Sequence, residues 1–71
     1  MYVDVDYFDY IVKKKNTTRE AVAKACDIER TTLRRHLNNG TITVHEMHAI
    51  IAFLNLTWDE VCRVFFAEKG A

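Results

Sequence analysis

The chain has no proline and only two glycines, Gly40 and Gly70. An all-β architecture needs tight reversals built from residues of fixed or positive φ, and this chain has too few of them. Helices joined by short turns fit instead. With 71 residues there is room for one domain, spanning 1–71, and one modest core. That length leaves no space for a separate catalytic or ligand-sensing unit. Apolar residues make up 49% of the chain and no stretch is low in complexity, which argues for a packed globule over a disordered tail.

Hydrophobic spacing and capping residues divide the chain into five short helices, an all-α fold. The first runs from about Asp6 to Lys15, with Phe8, Ile11 and Val12 at helical spacing and three lysines in its last turn. Asn16-Thr17-Thr18 breaks the pattern. Thr17 with Glu20 forms a capping-box pair, although Thr18 could cap equally well, and the second helix continues to about Ala25. Asp27 is a turn residue that tolerates the left-handed conformation, and Ile28 anchors the turn from below. A third helix covers about Glu29 to Asn38, with Leu33 and Leu37 inward and Thr31, Arg34, Arg35 and Asn38 on the other face, before Asn39-Gly40 closes it. Thr43 and Glu46 open a fourth helix with a buried stripe of Val44, Met47, Ile50, Ile51 and Leu54, which ends at Asn55. Thr57 and Glu60 open a fifth that turns Trp58, Val61, Val64 and Phe65 inward, with Phe66 either joining them or left outward.

Cys26 and Cys62 lie in apolar surroundings without a CxxC spacing, so they read as buried free thiols of a reducing compartment. No apolar run is long enough to span a membrane and no charged-then-apolar leader is present, so the expected location is cytoplasmic. His45 and His48 are three apart on one helix but have no third ligand nearby, which argues against a metal site. His36 reads as a packed boundary residue. No nucleophile and base set and no paired carboxylates suggest catalysis, so no enzyme and no cofactor is expected.

Net charge is zero, yet it is unevenly spread. Asp4, Asp6 and Asp9 give residues 1–12 a charge of −3, residues 13–40 carry +5, and residues 41–71 carry −2. The positive block coincides with the second and third helices and the turn between them. A helix fits the major groove of DNA, and Arg can pair bidentately with guanine O6 and N7. Arg30 and Thr31 at the leading end of the third helix, with Arg35 one turn on, are positioned to reach base edges. Arg19, Arg34, Lys13, Lys14 and Lys15 are better placed for phosphates, which position a protein without specifying sequence. The same arginines would also serve simply to solvate an exposed helix face.

The order Thr18-Arg19-Glu20-Ala21-Val22-Ala23, then Asp27-Ile28-Glu29-Arg30-Thr31-Thr32-Leu33-Arg34-Arg35, then Leu37-Asn38-Asn39-Gly40, resembles the helix-turn-helix regulators typified by phage lambda repressor and Cro proteins. The stretch from Ile50 to Val61 is similar to the final helix pair of that family, and the resemblance covers about residues 5–66. It implies a lambda-repressor-like domain with the helix-turn-helix at helices two and three, double-stranded DNA as partner, and a homodimer on a palindromic operator. Arg30, Thr31 and Arg35 fall on its base-reading positions, and Arg19 on its phosphate-contacting position; Asn38 is included among the phosphate contacts. Departures are Arg19 for the usual Gln, Asp27 for the turn Gly, His36 for an apolar residue, and one residue more at Asn38-Asn39-Gly40.

The expected function is therefore a small phage- or mobile-element-type transcriptional repressor. Phe53, Trp58, Phe65 and Phe66 exceed what so small a core needs and are candidate contacts to a second chain. Zero net charge, Glu29 at the mouth of the reading helix and the acids of residues 1–12 keep a rival open, a module that captures a second regulator protein as an antirepressor does.

Overall fold

The computed structural model describes residues 2–68 as five helices. These are α1 (Val5–Lys14), α2 (Arg19–Ala25), α3 (Arg30–Asn39), α4 (Val44–Leu54) and α5 (Trp58–Phe65), with no strand among the described residues. No described helix is long and apolar enough to cross a membrane.

Four of the five helices begin on a side-chain cap. Asp4 accepts from the Tyr7 N–H at 3.0 Å, which starts α1 at Val5, earlier than the apolar spacing indicates. Reciprocal capping boxes open α4 at Thr43/Glu46 and α5 at Thr57/Glu60, as the sequence predicts. At α2 the cap is Thr18, which accepts from Ala21 N–H at 3.1 Å, and Thr17 with Glu20 forms no box. Thr17 is already committed, because its own N–H bonds back to Val12 carbonyl at 3.1 Å and finishes α1. Glu29, the expected first residue of the third helix, is instead its N-cap and makes no side-chain capping bond.

Four helices end alike. After each of α1 to α4 one residue turns left-handed, namely Asn16, Asp27, Gly40 and Asn55, with φ of 57°, 61°, 67° and 51°. The following N–H then reaches back across the last turn: Thr17 to Val12, Ile28 to Ala23, Thr41 to His36 and Leu56 to Ile51. This is the Schellman closure, and it satisfies carbonyls that the helix end would leave unbonded. Only one of the four positions is glycine. Asn and Asp fill the others, since a short polar side chain lowers the penalty of that conformation.

The core gathers Phe8, Ile11 and Val12 from α1, Val22 and Ala23 from α2, Leu33 and Leu37 from α3, Ile50 and Leu54 from α4, and Val61, Val64 and Phe65 from α5. Helix α2 packs on both α3 and α4, and α1 packs on α5. Val3 is buried too, and Asp4 N–H donates to Val64 carbonyl at 3.0 Å, fastening the segment before α1 to α5.

Some predicted core positions lie elsewhere. Val44 is 68% exposed, because the buried stripe of α4 runs back from Leu54 and Ile50 to Glu46, leaving Val44 round the helix at its first position. Met47 and Ile51 are only partly buried. Trp58 is 73% exposed: it is the first residue of α5, one turn before the buried Val61. Phe65 is fully buried and belongs to the core, which removes it from the candidate contacts to another chain. Cys26 is buried, Cys62 only half-buried, and both are free thiols.

Leu33→Ala should lower unfolding free energy by about 2–5 kcal/mol through lost burial and a cavity. Thr57→Ala should cost only about 1 kcal/mol through a lost cap. Urea denaturation followed by circular dichroism checks the order, and a smaller loss at Leu33 than at Thr57 would contradict this core.

Candidate nucleic-acid interface

Helix α2 hands over to α3 through Cys26, Asp27, Ile28 and Glu29. Two backbone bonds fix the path, Asp27 N–H to Lys24 carbonyl and Ile28 N–H to Ala23 carbonyl, both at 3.0 Å. Ile28 packs against the core, so the turn is held from inside as well as by its own bonds. Between the two helices lies an open groove of about 500 Å³ whose lining includes Glu20, Lys24, Glu29 and Arg30.

The outer face of α3 carries Thr31, Arg34, Arg35 and Asn38, all exposed. Their spacing of i, i+3, i+4 and i+7 places them in one stripe opposite Leu33 and Leu37. Arg30 lies on the flank of this stripe and borders the groove. None of Arg30, Arg34 and Arg35 takes part in a salt bridge among the described residues. Their charge is therefore available to a ligand.

The other predicted phosphate contacts differ from these. Arg19 donates from Nε to Asp9 Oδ1 at 2.7 Å and from Nη2 to Asp9 Oδ2 at 2.8 Å, with its guanidinium 6.0 Å from the Phe8 ring centroid. The Asp9 hydrogen bond, against some burial, raises the Arg19 pKa further, so the group stays charged. Lys15 donates from Nζ to Asn55 carbonyl at 3.1 Å and sits 3.5 Å from Glu60 Oε1. It joins the end of α1 to the α4–α5 corner. Lys14 lies over the Tyr10 ring at 5.9 Å, whereas Lys13 is exposed and makes no ion pair among the described residues.

Behind α3 stands a feature that residue spacing does not reveal. Glu46 is 4% exposed, the single buried charged side chain among the described residues. Its carboxylate lies 2.9 Å from His36 Nδ1 through both oxygens, and Oε1 also accepts from Thr43 N–H at 3.0 Å. Burial pushes the Glu46 pKa up, but the bonds from Thr43 and the bond and charge of His36 together hold it below the ordinary 4.5. Glu46 carbonyl also takes a long contact, 3.8 Å, from Cys26 Sγ. Burial, and then the Glu46 charge, push the Cys26 thiol up to about 11. Two polar residues at the margins of apolar helix stripes, His36 beside Leu37 and Glu46 beside Met47, were the available sequence signal for this pair.

His45 and His48 are both exposed, and no group of three or more metal-ligating side chains gathers among the described residues. Phe53 and Phe66 are exposed with Trp58, at 46% and 56%. No protein-family model, curated protein or solved structure matches this chain.

Because the Glu46 pKa is depressed on folding, its stabilisation is complete above about pH 4.5 and is lost as pH falls through the lower folded value. Urea midpoints between pH 3 and 7 should fall on the acid side, and Glu46→Gln should flatten part of that slope; an unchanged slope would sink the assignment. Cys26 should also resist alkylation in the folded protein while Cys62 reacts, as mass spectrometry after a timed iodoacetamide pulse would record.

Proposed function

We propose that the chain is a sequence-specific DNA-binding transcriptional regulator whose α2–α3 unit is a helix-turn-helix of the lambda-repressor type. The observation that carries this reading is the exposed stripe Thr31, Arg34, Arg35 and Asn38, free of salt bridges among the described residues, on a helix whose back is fixed by Leu33, Leu37 and His36. A rigid helix with unspent guanidinium donors on one face has the width and chemistry for the major groove. Thr31, Arg35 and the flanking Arg30 take the role of base readers. Arg34, Asn38, Arg19 and Lys13 take phosphates on either side. Lys14 and Lys15 are less free for that role, since one lies on Tyr10 and the other is bonded to Asn55 and Glu60.

A homodimer accompanies this reading, because two copies double the few bases that one short helix spans. Phe53, Trp58 and Phe66 are exposed apolar surface with which a second copy could be met. As in the expectation from sequence, the chain acts by occupying an operator, with no enzyme activity and no cofactor.

One observation favours a second reading. Trp58 at 73% exposure is an unusual cost for a monomer, and aromatic anchors of this kind are the residues that protein partners cover. In that reading the chain captures another regulator.

DNA selected from a random pool, then titrated with salt, separates the two. A DNA reader should weaken steeply with salt. Arg35→Ala should lose about 1–3 kcal/mol of discrimination at one base pair. Arg19→Ala should weaken all sequences alike and reduce the salt slope by about one. No retention on DNA at low salt, together with copurification of a second regulator, would favour protein capture.

A further inference from the structure

We propose that Asp9, on α1, is a positioning residue for DNA contact: it grips one edge of the Arg19 guanidinium so that the other edge is presented to a backbone phosphate. This rests on the reading that the α2–α3 unit faces DNA. A guanidinium offers five N–H donors in a rigid fork. Asp9 takes two of them, one from Nε and one from Nη2, in a bidentate pair at 2.7 and 2.8 Å. Three remain, both on Nη1 and the second on Nη2. Nη1 makes no hydrogen bond among the described residues, and no described side-chain polar atom is both buried and unpartnered, so Nη1 keeps contact with solvent.

The neighbouring residue reinforces the arrangement. Phe8 is fully buried and the Arg19 guanidinium carbon lies 6.0 Å over its ring centroid, so two consecutive residues of α1 flank the Arg19 head group. Arg19 and Asp9 side chains keep 27% and 47% exposure, which lets a phosphate approach without first stripping water from a buried pair. An unheld arginine would surrender its rotamer freedom at the moment of binding; here that ordering has already occurred on folding. The acid of α1 that argues against DNA in a simple charge count thus becomes part of the contact.

The sign of a substitution decides the matter. Asp9→Ala makes the chain more positive by one charge, so general electrostatics or competition between Asp9 and phosphate for Arg19 would tighten DNA binding. Positioning gives the opposite result. Asp9→Ala should weaken binding by about 3- to 10-fold across all sequences, with thermal unfolding confirming that the variant is folded at the assay temperature. Asp9→Asn keeps an oxygen for Nε–H and loses the charge, and should bind at least as well as wild type. In an Arg19→Ala background, Asp9→Ala should cause no further weakening. Tighter or unchanged binding by folded Asp9→Ala, or an equal loss with Arg19 absent, would overturn the proposal while leaving the DNA reading intact. A wild-type chain that fails to bind any DNA at low salt would overturn both.

Discussion

The carboxylate of Glu46 is the interaction on which the placement of the middle three helices depends. It sits buried at the start of α4, caps that helix through Thr43, and meets His36 on the inner side of α3. Its own carbonyl receives the Cys26 thiol at the end of α2. An isolated buried charge is costly, and this one is tolerable because both oxygens have partners. Removing His36 would leave one Glu46 oxygen without a partner within the fold. The pair therefore does more than add stability. It ties the inner side of α3 to the first turn of α4, behind the exposed stripe of α3.

Local chemistry at the helix ends supplies the second constraint. Asn16, Asp27, Gly40 and Asn55 each take the left-handed conformation and each is followed by a long backbone bond into the preceding helix. A chain with no proline and few glycines has little else with which to stop a helix. Left-handed geometry costs ordinary residues about 1–2 kcal/mol, less where Asn or Asp bonds locally. That cost recurs three times in a small protein, which means the tertiary contacts between helices must hold the turns closed. Ile28 and Leu56, both packed against the core just beyond a left-handed residue, show how this is done.

This division explains what could be read from the sequence. Helix number and order, the boxes at Thr43/Glu46 and Thr57/Glu60, the turn at Asp27 and the Leu33/Leu37 stripe depend on residues within four positions of one another. Such features are legible because their partners are adjacent in the chain. Choosing between Thr17 and Thr18 required knowing that the end of α1 had already claimed Thr17 N–H. Val44 and Trp58 are first residues of helices, where periodicity gives an orientation but cannot say whether a neighbouring helix extends far enough to cover it. The pairs Asp9–Arg19 and His36–Glu46 each span ten residues and two helices, so no local pattern fixes either pairing, and only the polar residues at the margins of the α3 and α4 stripes hint at the second. In the candidate interface, the exposure of Arg30, Thr31, Arg34, Arg35 and Asn38 agrees with their polar spacing, while the internal engagement of Arg19 and Lys15 is a tertiary fact.

The pairings also change what a net charge of zero means. Asp4 caps α1, Asp9 is bonded to Arg19, Glu46 is buried on His36, and Glu60 caps α5 beside Lys15. Four acids are thus occupied within the fold, and they neutralise or cap groups that lie away from the outer stripe of α3. Arg34 and Arg35 keep their full charge where they stand. Two further acids, Glu20 and Glu29, line the α2–α3 groove along with Lys24 and Arg30. Those two acids are matched there by the two cations, so the groove carries no net charge from these four residues. Glu29, the N-cap of α3, makes no side-chain capping bond and stands at the leading end of that helix. The neutral total therefore combines acids that already have partners inside the fold with an outer α3 stripe whose arginines form no salt bridge among the described residues.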